Sequence, residues 1–426
     1  MTTEPRPDLA PARRRARNTL VAGVALGSTG HIAAVVVATI VAKDLLGSQA
    51  LAGLPGATVV LGAALGSVLL SALMARRGRR IGLATGYSIG VVGALIAAVA
   101  VITRSFPLLL LGTVFIGFGN TSNQLSRYAN ADMVPMAKRA SAIGIVVWAA
   151  TIGSVIGPTL VPIAGEFAMR IGLPALAGPY LVPVVFVGLA AILSFVYLRP
   201  DPYELGDEET LALAAAAGPV KVGPVREIIT RPGVAAAIVA LVIGQFVMVL
   251  IMTMTPLHMT EHGHGLADVG IVLSAHTLGM FALSPVSGKL TDRFGPVPTI
   301  FAGTAILAIS SLMAAAAPAE GGAGLVLALF LLGFGWNLGY VAGSALLSVH
   351  LELHERTRIQ GAADALIWSS AAAASLGSGL IMAGVGYTAL GILGAGLVII
   401  PVIFLRAHRR SEQHQHTHAD REAPAA

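Results

Sequence analysis

Two pairs of side chains able to hold a soft metal ion stand at four-residue spacing in strongly apolar sequence. They are Met248 and Met252, in Met248-Val-Leu-Ile-Met252, and His276 and Met280, in His276-Thr-Leu-Gly-Met280. Thioether sulfur is a soft, neutral donor that favours Cu(I), whereas zinc, manganese and iron(II) prefer carboxylates, imidazoles or thiolates. No carboxylate belongs to either pair; Asp268 lies near the outer rim of its segment and Asp364 far along the chain. Neutral donors would leave Cu(I) its single charge, which apolar surroundings tolerate better than a double one. The bland alternative is packing, because methionine commonly fills gaps between helices. The histidine resists that reading more than the methionines do, since ionisable groups in apolar spans usually face a cavity or a partner.

Two helices must carry these pairs. Residues four apart share one helix face, about 6 Å apart along the axis. The polar turn Glu261-His-Gly-His-Gly265 joins the two apolar stretches, so the helices run in opposite directions and depth is counted from that turn. With helix ends expected near Thr260 and Ala267, Met252 and His276 fall at nearly one depth, and Met248 and Met280 at a second. The expected site is two layers, Met252 with His276 and Met248 with Met280. At the outer mouth, His258, Met259, His262 and His264 are candidates for first capture of metal, or simply solvated loop residues.

Of 426 residues, 55% are hydrophobic and 11% charged, and the mean hydropathy is +0.81. A soluble domain of this length needs far more charged surface, so the chain is an integral membrane protein. Apolar segments of about 20 residues, the length that crosses a bilayer, are expected near 19–41, 54–75, 81–103, 107–131, 141–166, 177–198, 233–260, 267–291, 297–317, 323–350, 359–383 and 387–405. The fold class is therefore all-α, with twelve transmembrane helices in two six-helix halves, 19–198 and 233–406. A polar tail (1–18), a central cytoplasmic loop (199–232) and a His-containing tail (407–426) complete the chain. The first apolar run is long enough to span, so no cleavable signal peptide is read.

With the N-terminus in the cytoplasm, all of the 27 Lys and Arg residues except Lys43, Arg104 and Arg170 fall on the cytoplasmic side. The orientation is thus N-in and C-in. The formal charge of +6 is topological and requires no nucleic acid. Absence of cysteine excludes disulfides, Cys-based zinc sites, iron–sulfur clusters and thiolate catalysis. With no Ser/His/Asp set, phosphate-binding loop or soluble catalytic domain apparent, neither an enzyme nor a cofactor is expected.

The halves resemble each other. Gly117-Phe-Gly-Asn120 in span 4 echoes Gly333-Phe-Gly-Trp-Asn337 in span 10, and aligning Trp148 with Trp368 sets Gly157 opposite Gly377. Parallel six-helix repeats place a substrate site near the membrane midplane, at their interface. The loop after span 2 reads Ser71-Ala-Leu-Met-Ala-Arg76-Arg-Gly78-Arg79-Arg80, and the loop after span 8 reads Gly288-Lys-Leu-Thr-Asp292-Arg293-Phe-Gly295. Both resemble the signature of the major facilitator superfamily, Gly-x-x-x-Asp-Arg-x-Gly-Arg-Arg. In that pattern the first Gly admits a close neighbour, the Asp faces a helix N-terminus and the basic residues clamp the cytoplasmic side. The first copy has Ser71 for Gly and Ala75 for Asp, and the second lacks the trailing basic pair. Asp132, at the end of span 4, is the candidate partner for Arg76 or Arg80. Gly153-Ser-Val-Ile-Gly157-Pro158 resembles a motif of superfamily antiporters, although small residues at this spacing also simply permit helix packing.

Within the superfamily, Met248, Met252, His276 and Met280 resemble the ligand pairs of CcoA-like copper importers. The flanking Thr253-Met-Thr-Pro-Leu-His-Met259 and Phe281-Ala-Leu-Ser-Pro285 extend the similarity. The resemblance implies copper as transported substrate, delivered to a cytoplasmic metal acceptor. The same branch includes carriers of organic solutes such as riboflavin, so branch membership alone does not fix the substrate.

His31, near the middle of span 1, is a candidate third ligand or proton carrier, or a histidine hydrogen-bonded between helices. Asn120, Asn123, Gln124, Gln245, Trp336 and Asn337 are candidates to line the cavity, with interhelical hydrogen bonding as the alternative. Gln360 and Asp364 are candidates to join the cytoplasmic gate, and His414, His416 and His418 to bind metal in the cytoplasm. The sequence thus reads as a bacterial multi-pass carrier importing Cu(I) by alternating access, as symporter or antiporter. The alternative is a proton-coupled transporter or exporter of a small organic solute, with the Met/His set as packing.

Overall fold

Five glycines at φ between +80° and +92°, namely Gly78, Gly172, Gly263, Gly295 and Gly386, mark turns in the computed structural model of the chain. A side chain at such φ strains the backbone, so glycine ends helices there. The structure describes residues 9–46, 51, 53–206, 223–264, 266–316 and 323–422. Much of the expected central loop (207–222), the first eight residues of the tail and the side chains of His414, His416 and His418 lie outside the described residues.

The first part of the chain forms α1 (Ala10–Leu46), α2 (Leu54–Ile102), α3 (Phe106–Ala131), α4 (Arg139–Arg170) and α5 (Gly178–Tyr197). After the connection come α6 (Val225–Ile229), α7 (Pro232–Met252), α8 (Thr255–Glu261), α9 (Leu266–Phe281) and α10 (Ser284–Phe294). The chain ends with α11 (Pro296–Ala316), α12 (Ala323–Val349), α13 (Leu353–Val385), α14 (Tyr387–Leu397) and α15 (Ile399–Glu422). No strand occurs among the described residues.

Ten helical stretches among the described residues are long and apolar enough to cross a membrane. One of them is α2, whose 49 residues cover two expected spans and bend at Gly78 (φ 82°, ψ 167°). A further helix, α3, has the length of a span but carries Asn120, Asn123, Gln124, Arg127 and Asn130, so its apolarity is low. Counting α2 twice and adding α3 accounts for the twelve expected crossings.

Three expected spans are each broken in two. Helix α7 ends at Met252, α9 at Phe281 and α14 at Leu397, each four residues before a proline: Pro256, Pro285 and Pro401. Proline has no amide hydrogen to donate to the carbonyl four residues back, and its ring crowds that carbonyl. The missing rung falls at the observed helix end in all three cases. In α4, Pro158 and Pro162 are accommodated within a continuous helix.

The chain divides into two compact units, one holding α1–α5 together with Gln360–Trp368, the other holding the remainder of the C-terminal helices. In the first unit α2 packs along α3, and α1 packs against α4 and α5; in the second, α12 packs on α7, α9 and α11. The repeated Gly-Phe-Gly sequences do matching work. A Cβ on Gly117 would press on the α2 backbone at Val59, and one on Gly333 would press on the α9 backbone at His276 and Met280. A Cβ on Gly119 would lie 2.5 Å from the Gly90 Cα, and one on Gly335 would lie 2.8 Å from the Leu307 amide nitrogen. Small residues let these backbones meet, which supplies dispersion contact where lipid offers no hydrophobic drive.

Candidate functional site

Met248 and Met252 lie in the last turns of α7, and His276 and Met280 in the last turns of α9, so both pairs sit just before a proline break. Met248 and His276 are buried, while Met252 and Met280 are partly buried. The C-terminal end of a helix carries partial negative charge, which favours a cation nearby. The two helices share no extended packing face; each lies against α12 instead. His276 Nδ1 is 2.9 Å from the carbonyl oxygen of Leu329 on α12. A carbonyl can only accept, so Nδ1 carries the hydrogen and the neutral ring keeps its lone pair on Nε2. That Nε2 is buried and has no hydrogen-bond partner among the described residues. An imidazole anchored through Nδ1–H to a backbone carbonyl is the arrangement that orients Nε2 as a metal ligand.

Next to this pair, the Trp336 Nε1–H donates to Gln245 Oε1 at 2.8 Å, tying α12 to α7. Trp336 also stacks on Tyr340, with ring centroids 4.5 Å apart, and meets Phe281 edge-on. Asn337 is fully buried and donates to the Met280 carbonyl at 2.6 Å and to Ser284 Oγ at 2.7 Å, while accepting from Ser287 Oγ. Its amide bridges the break between α9 and α10, so it serves an interhelical hydrogen-bonding role.

In the first unit, His31, Asn120 and Asn123 line one small cavity together with Tyr87 and Gly27. Tyr87 donates to Asn123 Oδ1 at 3.0 Å, and Asn123 Nδ2 donates to Asn120 Oδ1 at 2.9 Å. His31 Nδ1 is buried with no hydrogen-bond partner among the described residues. Sequence reasoning misses Tyr87 because nothing in the apolar run around it distinguishes its hydroxyl. Gln124 is partly buried on the same helix as the two asparagines, and its carbonyl accepts from Arg127.

At the outer mouth, His258 stacks on Tyr387 (4.2 Å, 7°) and its ring centroid lies 4.4 Å from that of His262. Met259 is buried, and His264 lies 3.9 Å from Asp268. The structure thus brings the His258 ring near that of His262, buries Met259 and sets His264 beside Asp268. No group of three or more His, Cys, Asp or Glu side chains able to hold a metal occurs among the described residues.

The two signature loops share one backbone conformation, while the partner of Asp132 differs from the expected ones. Gly78 (φ 82°, ψ 167°) and Gly295 (φ 87°, ψ 160°) adopt the same conformation at matching places. Asp132 pairs with Arg79, at 2.7 Å, and not with Arg76 or Arg80. The turn at Gly78 resets the helical phase, leaving Arg76 exposed and Arg80 partly buried while Arg79 points inward. Arg79 also donates to Gln360 Oε1 at 2.7 Å. Where the signature calls for Asp and the chain has Ala75, another acid serves: Asp201 accepts from the Arg79 and Arg80 amides at 3.1 and 2.8 Å. Arg127 pairs with Asp364 at 2.6 Å, both buried. An arginine inside a span is itself a signal for such a partner, and in span 4 that signal goes unread among the amides around it. Gly288 is buried, Asp292 partly buried, and the exposed Arg293 lies over the Phe294 ring at 5.3 Å. Of the three basic residues outside the cytoplasmic set, Arg104 pairs with Asp44 and Arg170 approaches Glu166.

The chain as a whole has counterparts among known proteins. The chain is 38% identical over 379 residues to an uncharacterized MFS-type transporter of Bacillus subtilis, YdeG, covering 88% of each. It is 29% identical over 407 residues to the riboflavin transporter RfnT of Brucella anthropi, covering 92% of this chain and 96% of that one. Its fold is similar to the crystal structure of the human organic anion transporter MFSD10, with a TM-score of 0.74 at 16% identity, over 92% of this chain and 99% of that one. The profile of the Major Facilitator Superfamily matches residues 19–269 and 258–425, and the chain belongs to that family of multi-pass membrane transporters.

Proposed function

We propose that this transporter imports copper, as Cu(I), across the bacterial cytoplasmic membrane by alternating access, with Met248, Met252, His276 and Met280 as ligands. His276 is the observation that carries the reading: Nδ1 is anchored on the Leu329 carbonyl, and Nε2 is buried without a hydrogen-bond partner among the described residues. A buried polar atom left unpaired costs free energy, about 1–3 kcal/mol, unless something bound there compensates it. Two thioethers in the last two turns of α7 and one in the last turn of α9 give a donor set matched to a soft monovalent ion. His258 and His262 at the mouth serve first capture, and the Arg79–Asp132 pair with Asp292 and Arg293 serve the cytoplasmic gate. The cytoplasmic recipient is a metal acceptor.

A second reading is favoured by the similarity to a riboflavin transporter. In it the substrate is a small organic solute, the stacked Trp336 and Tyr340 hold a planar ring, and the Met/His set packs the helices. The deciding measurement is uptake into proteoliposomes containing the purified chain, with radioactive copper kept reduced by ascorbate in one arm and riboflavin in the other. Saturable copper uptake, lost in His276→Leu, supports import of Cu(I). Riboflavin uptake unaffected by His276→Leu, without copper uptake, replaces it with the second reading.

A further inference from the structure

Beyond the transport path, the cytoplasmic end of the first unit carries a groove of about 760 Å³ between α1 and α5. Arg14, Arg15, Asn18 and Tyr197 line its cytoplasmic end, and Ala22 and Leu193, one helical turn deeper, line the other. No acidic residue lines it. The arginines of α1 have divided duties. Arg13 donates to the Leu205 and Gly206 carbonyls at 3.0 and 2.8 Å, and Arg15 donates to the Arg199 carbonyl, so the chain leaving α5 is tied to α1. Arg14 is exposed and has no ion-pair or hydrogen-bond partner among the described residues.

Below this basic rim, α5 presents Val185, Leu189, Ile192 and Val196 as exposed apolar side chains on one helix face. Large exposed apolar residues at that spacing, on a helix that spans the bilayer, face hydrocarbon. Tyr197, half-exposed at the end of α5, is the amphipathic ring expected at the headgroup level. Cationic fork, amphipathic ring and apolar wall therefore succeed one another along the depth axis in the order of phosphate, glycerol and acyl chain. We propose that the α1/α5 groove binds the headgroup of one anionic glycerophospholipid of the cytoplasmic leaflet, with Arg14 and Arg15 on the phosphate. Arginine suits phosphate through its planar fork of donors.

The test is native mass spectrometry of the full-length protein released from micelles containing phosphatidylglycerol and phosphatidylcholine in equal amounts. The wild type should retain one phosphatidylglycerol in preference to phosphatidylcholine. Each arginine near an anionic surface gives about a fivefold preference, so Arg14→Gln with Arg15→Gln should lower the retained fraction by about 25-fold. Arg14→Gln alone, which leaves the Arg15 tie to Arg199 intact, should lower it about fivefold. Arg406→Gln with Arg410→Gln, at another exposed cytoplasmic site, should leave retention unchanged. Equal loss in that control pair, or unchanged retention in the Arg14/Arg15 variant, overturns the proposal in favour of diffuse topological charge. Displacement of the lipid by millimolar inorganic phosphate overturns it in favour of a free-anion site.

Discussion

Arg127 on α3 and Asp364 on α13 face each other in the first unit, with Nη2 to Oδ1 at 2.6 Å and Nη1 to Oδ2 at 3.3 Å, and neither is more than 2% exposed. Arg127 is held further by the Gln124 carbonyl and the Tyr128 hydroxyl. Removing one partner of a buried ion pair strands the other charge, at a cost of about 3–5 kcal/mol, whereas replacing both by apolar groups is often neutral. Asp364→Asn should therefore lower the melting temperature of the purified protein. Arg127→Met combined with Asp364→Leu should recover at least half the loss. A double variant no more stable than the single one would show that the pair is not the source of the effect.

Asp201 caps the second half of α2 through the Arg79 and Arg80 amides, the task that Ala75 cannot perform. Loss of a capping carboxylate costs about 1 kcal/mol. Asp201→Ala should show that loss in denaturant titration, and Asp201→Asn a smaller one. Restoring an acid at Ala75 in the Asp201→Ala background should not rescue stability if Asp201 alone reaches those amides.

If Met248, Met252, His276 and Met280 hold copper as proposed, Met252→Leu and His276→Leu should abolish copper accumulation in inserted, folded protein. Met248→Leu should retain part of it, because one layer of donors remains. Uptake of radioactive copper into proteoliposomes measures all three, and normal uptake in both of the first two would remove the site from its proposed place.

His31 separates ion binding from proton coupling. Thioether is acceptable to Cu(I) but does not titrate near neutral pH, whereas imidazole does. If His31 ligates, His31→Met should retain more uptake than His31→Ala at two external pH values, with the wild-type pH dependence kept. Equal loss in both with counterflow exchange intact assigns proton transfer, and normal uptake in both assigns packing.

The chain has no cysteine, so a single cysteine introduced into the transport cavity reports access directly. Asp292→Asn and Asp132→Asn should each raise its labelling by a membrane-impermeant maleimide from the cytoplasmic side. Unchanged labelling in both would argue against a gating role for these acids.

Much of the helical layout was legible from hydropathy, and the turns from glycine: Gly78 and Gly295, picked out by their place in two partial signatures, share one backbone conformation. The echo between Gly117-Phe-Gly and Gly333-Phe-Gly likewise marks equivalent helix contacts. Partner choice was not legible. Arg79, rather than Arg76 or Arg80, reaches Asp132 because a positive φ at Gly78 rotates the second half of α2 against the first, and no periodicity count across that residue could keep phase. Asp201 takes over a missing carboxylate from far along the chain, a substitution that only tertiary structure reveals. At the candidate metal site, the residue types were readable, but the placement of α12 against both α7 and α9 was not. The Leu329 carbonyl that fixes the His276 tautomer is a backbone group, which leaves no trace in a pattern of side chains.

The prolines four residues beyond Met252 and Phe281 bear on how the protein can deform. A continuous helix resists bending all along its length, because every carbonyl on the outside of the curve is tethered to an amide one turn on. Remove one tether and bending stiffness falls at that level alone. Spans 7 and 8 are therefore segmented levers, each with its compliant joint beside its Met/Met or His/Met pair, so that tilting an end segment moves those side chains without unwinding either helix.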